Sequence, residues 1–242
     1  MKRRILTISL IVASLVLLVS VGFAAWVITN DQVTETKGNV EAYNVSGNSA
    51  ISISVPENSK IVFGKPSPVP TISNPWLTFD AQEMGDESLS VAITVSYDRA
   101  GTITITNDLK IGETSYKTNL VGLLIGEPTF TKASGDGAVT SAGVITFPDG
   151  GGTIVINATY TWGSLLADGT NKNPYSYFNN KLKASAASLA QTLTKKDSST
   201  VSIIAADSWA VVAEKALGTL FDYTSGTGND ALKFVFTVSG QQ

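Results

Sequence analysis

The chain has 242 residues, 17 basic against 20 acidic side chains, and neither cysteine nor histidine. Without thiol or imidazole it cannot build a disulfide, a zinc-type ligand set, or a Ser-His-Asp or Cys-His site. A net charge of −3 with no basic stripe interleaved with aromatics excludes nucleic acid as a partner and gives no reason to seek anionic lipid.

Lys2, Arg3 and Arg4 precede an apolar run from Ile5 to Val21, then Gly22, Phe23, Ala24, Ala25 and Trp26. A basic start, an apolar middle and small residues before a cut are the plan of a secretory signal peptide, here residues 1–24 with cleavage between Ala24 and Ala25. The same uncharged run, extended to Ile28, is also long enough to span a bilayer. The small residues Gly22 and Ala24 favour cleavage over a retained anchor. Removing residues 1–24 leaves 218 and raises the acidic excess to six, since three basic residues go with the leader. What remains is enough chain to bury a core without staples. Its new end, Ala25, Trp26, Val27, Ile28, Thr29 and Asn30, is apolar and reads as a strand.

Beyond it, Thr, Ser, Val, Ile and Gly dominate. Strict alternation over Ile51–Ser54 and its neighbour Val55, over residues 89–95 and over residues 102–106 predicts half-buried antiparallel strands. Residues 97–101 and 148–152, each ending in Gly, read as hairpin connections, the second between strands at 143–147 and 153–160. A strand near 129–132 precedes a Gly-rich loop, residues 66–75 are a Pro-rich edge or crossover, and residues 232–238 close the fold. From Tyr177 to about Lys195, Leu182, Ala186, Leu189 and Leu193 recur at helical spacing. A second helix, capped by Asp207, carries Trp209, Val212, Ala213, Ala216, Leu217 and Leu220. The expectation is a mainly β antiparallel sandwich, residues 35–242 forming one domain, with a helical insertion over about 177–222 before the last strand.

Trp162, Gly163, Asn173, Pro174, Tyr175, Tyr177, Phe178 and Asn179 gather aromatics and turn formers in a short span. They read as structure rather than as a ligand site: Pro174 starts a turn, and Tyr177 and Phe178 anchor the following helix. Asp80, Glu83, Asp86 and Glu87 form an acidic loop without EF-hand spacing, so a solvated loop is expected rather than a Ca²⁺ site. No cofactor or catalytic site is expected.

Gly22 to Trp26, then Asn30 and Asp31, then the Thr-rich stretch 34–40, resemble the TasA/camelysin family of Gram-positive secreted proteins, whose leaders are cut by a SipW-type signal peptidase. The pattern Trp162-Gly163 followed by Asn173-Pro174-Tyr175 and Tyr177-Phe178-Asn179 is similar to SipW-dependent proteins as well. The resemblance implies a jelly-roll-like β-sandwich exported to the cell surface or biofilm matrix. It further implies a fibre subunit whose residues 25–34 fill a strand position in the next copy. An extended peptide added to a sheet edge satisfies backbone donors and buries alternate side chains, and a head-to-tail contact that does not close makes a filament. Trp26 and Ile28 would lie on one face of that strand and Val27 on the other. The partners implied are further copies of the chain, the signal peptidase and an accessory surface or anchoring protein.

Two readings compete. Residues 25–30 can pack as the first strand of their own sandwich. The protein can also be a monomeric surface module that binds a glycan or protein through aromatics such as Trp76, Trp162, Tyr175 and Trp209. A camelysin-like peptidase is the weakest reading, because a zinc site of that kind needs histidines the chain lacks.

Overall fold

Period-two alternation becomes strands wherever one face can be buried. The computed structural model describes residues 35–37, 39–46, 50–56, 59, 61, 88–181 and 187–240. Its strands are β1 (Glu35–Lys37), β2 (Val40–Asn44), β3 (Ile51–Ser54), β4 (Ser88–Tyr97), β5 (Gly101–Ile111), β6 (Thr114–Ser115) and β7 (Thr129–Gly135). They continue with β8 (Ala138–Val139), β9 (Val144–Phe147), β10 (Gly152–Thr161), β11 (Gln191–Thr194), β12 (Thr200–Ile203) and β13 (Lys233–Gly240). Among the described residues, the α-helices are α1 (Lys117–Leu120), α2 (Pro174–Lys181) and α3 (Trp209–Thr224).

Two sheets face each other. One runs β1-β2-β13-β5-β9-β8 with β6 on the end of β5, and the other runs β3-β4-β10-β7. The expected antiparallel sandwich with a helical insertion is the fold, and within it β13 pairs with β2 in parallel. Inward residues of one sheet (Ile103, Ile105, Leu109, Phe234, Phe236) meet those of the other (Ile93, Val95, Ile154, Ile156, Tyr160), all at most 1% exposed. Aromatic rings lock the middle. Tyr160 packs edge-on to Phe234 at 5.0 Å, and Phe130 packs edge-on to Phe236 at 6.3 Å. Each such side chain contributes about 1.5–3 kcal/mol by leaving water, so this layer carries most of the stability.

Both connections read as hairpins are arches instead. β4 and β5 lie in different sheets, as do β9 and β10. Each turn carries the chain across the sandwich. The two arches stack at one end, where Gly151 sits so close that a methyl group there would run into the Tyr97 carbonyl. Glycine at positive φ marks a sharp change of direction but does not say whether the chain returns beside itself or crosses over.

The insertion also departs from expectation. Of the expected 177–195 helix, residues 177–181 are helical as the end of α2, residues 182–186 (Leu182 and Ala186 among them) lie outside the described residues, and Leu193 belongs to β11. Spacings of three and four placed Leu189 and Leu193 on a helix face. The alternation in Gln191–Thr194 and the left-handed Ser188 (φ 51°) favour an extended chain there. The β11–β12 hairpin rests on α3, whose Tyr223 hydroxyl donates to the Thr194 carbonyl at 2.8 Å. The second helix falls where expected, burying Trp209, Val212, Ala213, Ala216, Leu217 and Leu220. Its cap is Ser208, whose Oγ accepts from the Val211 amide, and not Asp207. Asp207 accepts from the Ile204 amide at 2.9 Å and from Lys215 at 2.6 Å, tying the helix to the preceding turn.

Candidate functional site

The motif from Trp162 to Asn179 is built as structure. Trp162 and Gly163 follow β10 and pair with residues 121–125: the Gly163 amide donates to the Leu124 carbonyl at 3.0 Å, and Leu165 to Leu123 at 3.0 Å. A Cβ on Gly163 would enter the Leu123 carbonyl, so only glycine allows this approach. Asn173 caps α2, its Oδ1 accepting from the Ser176 amide at 2.8 Å, and Pro174 takes the first helical position. Tyr177 and Phe178 are buried and edge-on at 5.1 Å, and Tyr177 meets Trp209 of α3 at 5.8 Å. Lys181 lies 5.3 Å and 5.4 Å from the centres of the Tyr177 and Trp209 rings and 3.5 Å from Asp168. The Asn171 amide holds the Asp168 carboxyl below the usual aspartate range, which keeps this partner charged. Asn179 is half-buried, whereas Tyr175 is 40% exposed.

The aromatics are therefore divided. Trp162 and Trp209 are buried, Tyr175 faces solvent, and Trp76 lies outside the described residues. A binding surface made from all four is not what the fold presents. The acidic loop residues Asp80, Glu83, Asp86 and Glu87 are outside the described residues too, and so are Ala24, Ala25, Trp26, Val27, Ile28, Thr29 and Asn30. No three carboxylates gather as a metal site among the described residues.

What the described residues do contain is a long strand paired unequally on its two sides. In the four-stranded sheet, β10 pairs with β4 along its whole length, from Ser88 to Tyr97. On the other side of β4, β3 covers only Thr94–Tyr97. Among the described residues, no strand pairs with that side of residues 88–93. The inward residues of this stretch are Leu89, Val91 and Ile93. Six residues of extended chain span about 20 Å, enough backbone to hold an added strand.

A second feature lies on the outer face of the larger sheet, where β2 and β13 carry buried side chains pointing away from the core. Val235 is 3% exposed, and beside it Glu41 is 4% exposed. Glu41 pairs with Lys233 at 2.7 Å and accepts from the Tyr43 hydroxyl at 2.5 Å. Burial, with Glu41 alongside, raises the Tyr43 pKa, so the phenol stays protonated and continues to donate. Two adjoining grooves of about 610 and 570 Å³ share Lys110, Val235 and Thr237 along this face. Sequence reading missed it because Glu41 alternates in polarity with Val40 and Ala42 and so reads as solvent-facing; only the parallel pairing of β2 with β13 sets it beside Val235.

No protein-family profile, no curated protein and no solved structure matches the chain.

Proposed function

We propose that the chain is an exported, non-enzymatic structural subunit of a TasA/camelysin-like surface or matrix fibre. Residues 25–34 of one copy add to the open side of β4 in the next. Ala25, Trp26, Val27, Ile28, Thr29 and Asn30 run beside residues 88–93, with Trp26 and Ile28 turned toward the inward row of Leu89, Val91 and Ile93. Cleavage between Ala24 and Ala25 by a signal peptidase frees the donor, and an accessory surface protein anchors the fibre.

The observation that carries this reading is the mismatch in length between β3 and β4. Among the described residues, one side of this ten-residue strand is paired over four residues, which leaves backbone donors and acceptors for an added strand beside an apolar inward row. Strand addition uses both at once: main-chain bonds supply affinity, and alternate side chains supply register. Because the donor lies at one end of the chain and the acceptor in its middle, each copy can give and receive, and the contact propagates.

Electron microscopy of the purified exported protein tests the reading. Full-length mature protein is expected to form filaments, and protein lacking residues 25–34 is expected to stay monomeric. Normal filaments from the truncated protein would end the strand-donation account. A stable monomer from the intact mature protein at high concentration would favour the surface-module reading instead.

A further inference from the structure

One wall of the outer groove holds an amine, a carboxamide and a carboxylate within hydrogen-bonding distance. Lys117 Nζ donates to the Asn107 side-chain oxygen at 3.1 Å and to the Asn107 backbone carbonyl at 3.4 Å. The Glu127 carboxylate is 3.2 Å from the same nitrogen. On its far side, the Asn107 amide nitrogen donates to the hydroxyl of Tyr160 at 3.3 Å.

We propose that Lys117 and Asn107 join in a spontaneous isopeptide bond, with Glu127 as the proton carrier. Glu127 takes a proton from the Lys117 ammonium. The freed lone pair on Nζ attacks Cγ of Asn107, and the C=O electrons move onto Oδ1. The carbonyl reforms as the C–N bond to the original amide nitrogen breaks. Nζ, positively charged once it has attacked, passes its second surplus proton to that nitrogen, which leaves as ammonia and then takes the first proton from Glu127, departing as ammonium. One C–N bond forms, one breaks, and nothing is oxidised or reduced.

The surroundings suit each step. The reacting groups are held by backbone rather than by chance meeting of long side chains: β5 and β6 pair Lys110 with Ser115, the Tyr116 amide donates to Leu109 O at 2.7 Å, and Ser115 Oγ donates to Asp108 at 2.5 Å. Such preorganisation converts an encounter between two groups into a step within one molecule. Tyr160 is fully buried, and its desolvation raises the phenol pKa, so its proton stays in place. An amide nitrogen cannot accept that proton, but the pyramidal nitrogen of the tetrahedral intermediate can. The Tyr160 hydroxyl then assists the leaving group as a positioned donor. The groove is open to solvent, which gives ammonia a way out. In a chain without cysteine, this amide is a covalent closure for the β5–β6–α1 corner that needs no oxidant.

Mass spectrometry of the folded, full-length exported protein tests the bond directly. The expected intact mass falls short of the sequence by one ammonia. Digestion after Lys, Arg and Glu should yield residues 100–110 joined to residues 114–132, with residues 111–113 released. Lys117→Arg should restore the full mass, and Glu127→Gln should slow the closure by about a hundredfold. A folded wild-type protein of full sequence mass would overturn the proposal. So would an ammonia loss that persists in Lys117→Arg, because that loss would come from ring closure of Asn107 onto its own backbone. A Glu127→Gln protein that closes at the wild-type rate would remove Glu127 from the mechanism.

Discussion

Among the described residues, β7 and β4 of the four-stranded sheet differ in how their sides away from β10 are covered. At the β7 edge the ladder is broken: Lys132 pairs with Ile156 and Ser134 with Val155, which leaves Ala133 as a bulge. Lys132 thus stands on the inward face, where its Nζ bonds the Gly137 carbonyl at 2.9 Å, and the Phe130 amide is taken by the Ser141 carbonyl at 3.1 Å. A bulge, an inward charge and a covering loop are the devices that keep a strand from adding to an edge. Beside β4 the ladder to β10 is regular and the inward row is Leu89, Val91 and Ile93. The proposed strand donation relies on this asymmetry, because a sheet that accepts a strand in one place only builds an ordered filament rather than a clump.

The largest predicted effect falls on the β4 side. Ile93→Ala removes a fully buried side chain and should cost about 2–5 kcal/mol in denaturant unfolding, whereas Lys132→Ala at the other edge should change stability by no more than about 0.5 kcal/mol. Equal costs would mean that the two edges are not distinct. Gly163→Ala touches neither edge but forces a methyl group into the Leu123 carbonyl; its expected cost is about 1–3 kcal/mol, read as a lowered midpoint of thermal melting. Replacing Lys132 with Val and deleting Ala133 should flatten the closed edge. The expected result is lateral association, seen as light scattering, with little change in stability.

The smallest effect concerns acid, which should loosen the insertion and spare both edges. Lys215 holds the Asp207 carboxyl below its ordinary value of 3.8, and the Asn171 amide does the same for Asp168. A carboxylate with a lowered folded-state pKa adds stability above its unfolded value and loses it as the pH falls through the folded value. Pepsin below about pH 4 should therefore cut first within the insertion, and Asp207→Asn should weaken that part of the pH dependence. First cuts in β4 or β10 would contradict the assignment.

Much of the sandwich was legible because burial of one face leaves a period-two trace: residues 51–54, 89–95, 102–106 and 153–160 all became strands, and Val55 lies just past the end of its strand. The arches at 97–101 and 148–152 were not legible, since a glycine turn has the same local chemistry whether it stays in one sheet or changes sheets. Nor was the parallel pairing of β2 with β13, which joins residues almost two hundred positions apart. The helical reading of Leu189 and Leu193 failed because a spacing of four satisfies a helix face and a strand face alike. At the motif, Asn173 and Pro174 announced a helix start by their chemistry, and Tyr177 and Phe178 followed as its buried face. Asn107, Lys117 and Glu127 gave no such signal. They are polar residues at unrelated spacings, and only the β5–β6 turn and α1 bring them together.

The absence of cysteine makes the central claim open to one clean measurement. Thr29→Cys with Ala92→Cys places a thiol on the donor and another on the acceptor strand, both on the outer face. After assembly and mild oxidation, non-reducing electrophoresis should show a ladder of covalent multimers, and Thr29→Cys with Ala133→Cys at the closed edge should show none. A single monomer band from the first pair, with filaments present, would contradict strand donation to β4.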